Sequence, residues 1–151
     1  MPMRVSFDLD GTLIPLSFVF PTYSRSILHK VLGIEPMRAG FMDVYYFLKA
    51  NNCQVGIYTT SYRSQMKIYC WMLAYGLKPD FIINEKLNRK TLYEKGLGIS
   101  KYPPAFEIDV HIDDQKGVMM ESDKYDFKIL LLDEKESKWK QVVIDYFSRF
   151  F

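Results

Sequence analysis

Short apolar runs that alternate with longer segments of helical periodicity constrain this chain more than any other feature. Met3–Leu9 (MRVSFDL), Gln54–Tyr58 (QVGIY), Ile108–Ile112 (IDVHI) and Phe127–Leu132 (FKILLL) carry the pattern, and Phe81–Ile83 is a shorter candidate. Several are nearly continuously apolar, as a strand must be when both its faces are covered. Strands separated by helices are joined by crossovers and therefore run parallel. The expectation is an α/β fold around a largely parallel sheet.

Phe41, Val44, Tyr45 and Leu48 recur at i, i+3, i+4 and i+7, which predicts an amphipathic helix over Gly40–Lys49 ending at the Asn51-Asn52 turn. A second helix is predicted over Tyr62–Tyr75, stopped by Gly76 and barred from continuing by Pro79. Trp139, Val142, Val143, Tyr146, Phe147 and Phe150 share one stripe, which predicts a closing helix docked on the core. Residues 13–39 hold Pro15, Pro21 and Pro36 around SRSILHKVLG. They read as an insertion with one short helix over the end of the first strand, where open α/β sheets bind ligands. No repeat, linker or charge block divides the chain, so residues 1–151 are expected to form one domain with a small cap-like insertion around 13–39.

With 48% apolar and 25% charged residues, 151 residues suffice to bury one core. Lys and Arg number 20 against 18 Asp and Glu, and a net charge of +2 carries no strong signal for nucleic acid or an anionic membrane as partner. No run approaches the roughly 18 apolar residues of a membrane span, and the opening MPMRVSFDLDG puts acidic residues where a secretory signal has its apolar stretch. Cys53 and Cys70 lack CxxC spacing and a histidine cluster, so neither a zinc site nor a disulfide framework is expected, and the expected location is the reducing cytoplasm.

Polar residues gather at the strand ends. Asp8-Leu9-Asp10-Gly11-Thr12 closes the first strand, and its alternate residues Asp8 and Asp10 can approach one site while Gly11 permits a sharp turn. Two such carboxylates suit a divalent cation, though not in an EF-hand, because Leu13 stands where that loop needs glycine. A turn with solvated aspartates is the other reading of this pentad. QVGIY runs into Thr59-Thr60-Ser61, either helix-capping hydroxyls or ligands of an anion. IDVHI runs into Asp113-Asp114, neighbouring carboxylates whose repulsion is relieved by a cation or a shared proton. His111, inside an apolar strand, is expected to be a core histidine, and Arg63 is open to two readings, a substrate contact or a solvated residue of a first helical turn.

VSFDLDGTL, then VGIYTT, a lysine-bearing region and DVHIDD together resemble the haloacid dehalogenase (HAD) superfamily of phosphatases and phosphotransferases over most of the chain. The resemblance implies a Rossmann-like three-layer sandwich with a central parallel sheet. Asp8 to Thr12 match that family's DxDGT motif in full, and Asp10, two positions after the nucleophile, follows its phosphatase pattern. Thr59 matches the second motif, with Thr60 as the alternative one position on. For the third-motif lysine the region offers Lys86, Lys90, Lys95 and Lys101. Lys90 is expected, because it stands 23 positions before Asp113 and opens a plausible helix, KTLYEKG, with Lys86 second. Asp113 and Asp114 match the acidic fourth motif, the second as the direct metal ligand and the first as ligand or its support.

The implied activity is a Mg²⁺-dependent phosphomonoester hydrolase. Asp8 would form an aspartyl-phosphate, Asp10 would serve as general acid and base, Thr59 and Lys90 would hold phosphoryl oxygens, and Asp8, the Asp10 carbonyl and Asp114 would hold Mg²⁺. About fifty residues separate Asp8 from Thr59, too few for a large cap, so the site should be open to a phosphorylated small molecule or macromolecule. The alternatives are an idle Mg²⁺-binding interaction module on the same fold, and a phosphorelay receiver. In a receiver the acidic pair precedes the phosphorylated aspartate, whereas here it comes last.

Overall fold

The computed structural model describes residues 1–151. In chain order the elements are β1 (Arg4–Phe7), α1 (Ile27–Val31), α2 (Phe41–Ala50), β2 (Gln54–Tyr58), α3 (Gln65–Ala74), β3 (Ile82–Ile83), α4 (Glu85–Glu94), a 3-10 turn (Pro103–Phe106), β4 (Val110–Asp113), α5 (Lys116–Tyr125), β5 (Ile129–Leu131) and α6 (Trp139–Phe147). The five strands form one sheet in the order β3-β2-β1-β4-β5. Every pairing is parallel. This is the expected α/β architecture, a Rossmann-like sandwich with helices on both faces. No helix is long and apolar enough to cross a membrane.

Strand alternation sorts the two faces by chemistry. Val5 and Phe7 of β1, Val55 and Ile57 of β2, and Val110 and Ile112 of β4 join α2, α3 and α6 in a single buried cluster. The intervening residues, Ser6, Tyr58, His111 and Asp113, are equally buried but belong to the other face. There Tyr58, Ile83 and Ile108 form a small apolar cluster with Phe81 and Phe106. One face is therefore hydrocarbon throughout, and the other carries a polar layer towards the carboxyl ends of the central strands.

Those ends are also where the topology reverses. The chain leaves β1 for β2 and β3 on one side and returns to β4 and β5 on the other, so a crevice opens between the ends of β1 and β4. Chain entry there is tightly hooked: the Leu9 carbonyl accepts hydrogen bonds from the amides of Thr12, Leu13 and Ile14, and Gly11 N–H returns to the Ile14 carbonyl at 2.8 Å.

Two helices begin elsewhere than the sequence predicts. Helix α3 starts at Gln65 rather than Tyr62, because the Ser64 hydroxyl accepts from Lys67 N–H and caps it there. Residues 60–64 are thereby left as a loop. Helix α4 starts at Glu85, capped by the Asn84 side chain on Leu87 N–H, so Lys90 lies in mid-helix instead of opening one. The helix α5 and the 3-10 turn over Pro103–Phe106 are additions to the sequence expectation.

Candidate functional site

Asp8 is the first residue past β1, and its N–H donates to the Ile112 carbonyl of β4 at 2.9 Å, which fixes it over the crevice. Its side chain is 8% exposed. Beside it stands Lys101, 2% exposed, from the segment that leads into the 3-10 turn. The ammonium Nζ lies 3.0 Å from Asp8 Oδ1, 2.6 Å from Asp113 Oδ2 and 3.1 Å from His111 Nε2.

His111 completes this layer. Its Nδ1 is 2.8 Å from Ser6 Oγ, the residue opposite it in the β1–β4 register, and its Nε2 is 2.9 Å from Asp113 Oδ2. Burial, then the Lys101 ammonium, push the imidazole down to about 4, so the ring is neutral at physiological pH. We assign the tautomer that donates Nε2–H to Asp113 and accepts the Ser6 hydroxyl proton at Nδ1. In that state the imidazole consumes none of the three Lys101 protons, and one remains free after Asp8 and Asp113 take theirs. His111 is thus the satisfied core histidine that its strand position implies, and it also abuts the lysine.

Asp113 Oδ2 is committed to Lys101 and His111, while Oδ1 accepts Gln115 N–H at 2.9 Å and keeps one lone pair. Burial alone would raise this carboxyl, but Lys101 and His111 outweigh it and hold Asp113 below the usual carboxylate range. Burial similarly opposes the charge on Lys101, and the two aspartates overcome it and raise the ammonium above its ordinary value.

Asp114 differs in kind. Its Oδ1 is buried with no hydrogen-bond partner. Burial, then the Asp113 and Asp8 charges, raise it to about 7, and burial also raises Asp8 to about 6 despite Lys101. Asp8, Asp113 and Asp114 each bring a carboxylate oxygen within 4.8 Å of the others. Three carboxylates around one ammonium leave uncompensated negative charge in a largely buried place. The orphaned Asp114 oxygen and the all-oxygen donor set fit a hard divalent cation. Gly11, at φ +81°, packs its backbone so closely that any side chain there would collide with the Asp114 carboxylate.

The remaining predicted site residues divide. Thr59, directly after β2, is 1% exposed, and its Oγ1 accepts Ser61 N–H at 3.0 Å, so its own hydroxyl proton remains available. Thr60 is exposed and turns to a groove with Glu85, Asn88 and Leu92. It is not the partner of Thr59. Asp10 does not join the acidic cluster with its carboxylate, which instead receives a two-pronged ion pair from Arg63 at 2.8 and 3.0 Å.

The lysine expectation is corrected. Lys90 and its alternative Lys86 are exposed on α4 and line an open groove with Tyr62, Arg89 and Tyr93, whereas the buried ammonium against Asp8 belongs to Lys101. The spacing from Asp113 misled because the Asn84 cap starts α4 early and the chain then returns to the sheet only at Lys101. A signal for Lys101 existed in Tyr102-Pro103-Pro104, which follows it with aromatic and rigid residues that anchor a chain, unlike the polar surroundings of Lys90. Arg63 fits neither of its two readings: it lies ahead of α3, and its guanidinium is held by Asp10 and Glu35 instead of being solvated in a helical turn. Comparison with models of known protein families finds no match, and comparison with curated proteins finds none either.

Proposed function

We propose that this protein is a divalent-metal-dependent phosphomonoester hydrolase of the HAD type, working through an aspartyl-phosphate on Asp8. One observation carries the reading: a buried carboxylate, Asp8, is held by a buried ammonium, Lys101, at the switch point of a parallel sheet, within a cluster of three carboxylates that this one ammonium does not neutralise. Asp8, the Asp10 carbonyl and Asp114 would hold Mg²⁺, with Asp113 engaged in holding Lys101. Bound there, the cation supplies charge neutralisation between an anionic nucleophile and an anionic phosphate.

The chain's own residues account for the rest. An Asp8 oxygen attacks phosphorus, the bond to the leaving oxygen breaks, and Asp10 gives that oxygen its proton. Asp10 then takes a proton from the water that attacks the phosphoryl-Asp8, which releases inorganic phosphate and restores the Asp8 carboxylate. Thr59 donates its free hydroxyl proton to a phosphoryl oxygen, and Lys101 donates the N–H left over from Asp8 and Asp113. Lys101 also keeps Asp8 ionised, as a nucleophile requires. The lack of disulfide or zinc spacing at Cys53 and Cys70 supports the reading that the protein works in the reducing cytoplasm.

The test is hydrolysis of an aryl phosphate by wild type and Asp8→Asn, each with Mg²⁺ and with chelator. Activity that requires both the metal and Asp8 is expected. Equal rates in Asp8→Asn would sink the assignment, and no activity in any condition would move the reading to a Mg²⁺-binding module without turnover.

A further inference from the structure

Arg63 is the most constrained charged residue near the crevice that the chemistry above leaves unused. Its guanidinium spans two carboxylates. Nη1 and Nη2 reach Asp10 Oδ2 and Oδ1 at 3.0 and 2.8 Å, while Nε and Nη2 reach Glu35 Oε2 and Oε1 at 2.7 and 2.8 Å. Four of its five N–H donors are thereby used. Glu35 comes from the 13–39 insertion, Arg63 from the loop ahead of α3, and Asp10 from the hook after β1, so three separate stretches of chain meet on one planar group.

Glu35 and Arg63 are each fastened through the backbone carbonyl. The Glu35 carbonyl accepts from Trp71 Nε1 at 3.1 Å and from the Tyr75 hydroxyl at 2.7 Å, both on or next to α3. The Arg63 carbonyl accepts from Asn84 Nδ2 at 3.1 Å. Asp10, by contrast, has a side chain 35% exposed, and no other side chain bonds its carboxylate. Two parallel N–H···O bonds fix the plane of a carboxylate as well as its position, and each oxygen keeps a lone pair for a proton. Because the guanidinium is shared by two carboxylates, the trio is net negative and offers no free cation to a phosphate. Lys101 fills that role. The geometry therefore suits orientation, not substrate binding.

We propose that Arg63 is a positioning residue for Asp10, with Glu35 as its second anchor, so that the insertion sets where the acid/base carboxylate points. This rests on the assignment of Asp10 above as general acid and base. A misplacement of about 1 Å in such a group costs about 100-fold in rate, which sets the scale of the expected effects.

The experiment is a double-mutant cycle on aryl phosphate hydrolysis, joined to a measurement that needs no turnover. Arg63→Gln is expected to lower kcat about 10- to 100-fold while KM stays within about threefold, and Glu35→Gln to act in the same direction by less. Arg63→Lys should rescue little, because an ammonium cannot grip both carboxylates in one plane. In an Asp10→Asn background, Arg63→Gln and Glu35→Gln should have no further effect. A rise in KM with kcat intact, or losses that multiply with Asp10→Asn, would overturn the proposal. In parallel, the Arg63 guanidinium N–H signals in ¹H–¹⁵N spectra should be protected at neutral pH, and lose that protection in both Asp10→Asn and Glu35→Gln. Signals unchanged by Asp10→Asn would refute the clamp itself. If wild type hydrolyses nothing, the phosphatase assignment fails, while the spectra still decide whether Arg63 holds Asp10.

Discussion

Lys101 and Lys90 carry the same charge and differ in everything that matters to a phosphate. Lys101 sits between Asp8 and Asp113, so removing its ammonium leaves two buried carboxylates facing each other. Breaking a buried pair in this way costs about 3–5 kcal/mol, whereas an exposed lysine contributes within about 0.5 kcal/mol. Lys101→Ala is therefore expected to lose turnover and to melt well below wild type, and Lys86→Ala and Lys90→Ala to match wild type in both. Kinetics and thermal unfolding of the three variants check this, and loss of turnover in Lys90→Ala with Lys101→Ala active would restore the spacing argument. The residue types of the site were legible because carboxylates and hydroxyls at strand ends are unusual together. Which lysine joins them was not, since burial of one lysine among four depends on where a polar helix starts.

At the scale of elements, the strands were readable because a strand covered on both faces is written as an uninterrupted apolar run. Helices α4 and α5 were harder for the opposite reason: each buries only two residues, Asn88 and Leu92 in one, Val118 and Ser122 in the other, and neither writes an apolar stripe. Two glycines show how closely the elements approach. Gly56 of β2 lies against the Phe81 ring and carbonyl, and Gly11 lies against Asp114. Gly56→Ala must push back the backbone beside β3, an overpacking that costs about 1–3 kcal/mol, with Mg²⁺ affinity unchanged. Gly11→Ala adds a left-handed backbone penalty of about 1–2 kcal/mol and, in addition, displaces the Asp114 carboxylate. Its Mg²⁺ affinity, measured by calorimetric titration, should fall at least about tenfold, roughly what one misplaced ligand costs. Equal Mg²⁺ affinity in the two variants would detach Asp114 from the metal.

For the whole molecule, the acidic cluster couples stability to pH and to cation. Asp8 and Asp114 stand at about 6 and about 7 in the metal-free protein, above the roughly 3.9 of an unfolded aspartate. The folded chain therefore binds more protons at these two groups, and they lower stability as pH rises from about 4 to about 7. His111, at about 4 when folded against roughly 6.5 unfolded, works the other way and adds stability as pH rises through that window. Two carboxyls outweigh one imidazole up to about pH 6, and Asp114 alone remains near pH 7. Asp113, held low, contributes stability at all these pH values and loses it only in strong acid. A bound divalent cation removes the penalty on Asp8 and Asp114 by replacing their protons, so its binding weakens wherever they are protonated. The rise in melting temperature on adding Mg²⁺ is thus expected to be larger at pH 8 than at pH 5. A rise independent of pH would place the cation somewhere other than on Asp8 and Asp114, and would remove the electrostatic reason for these carboxylates to share one crevice.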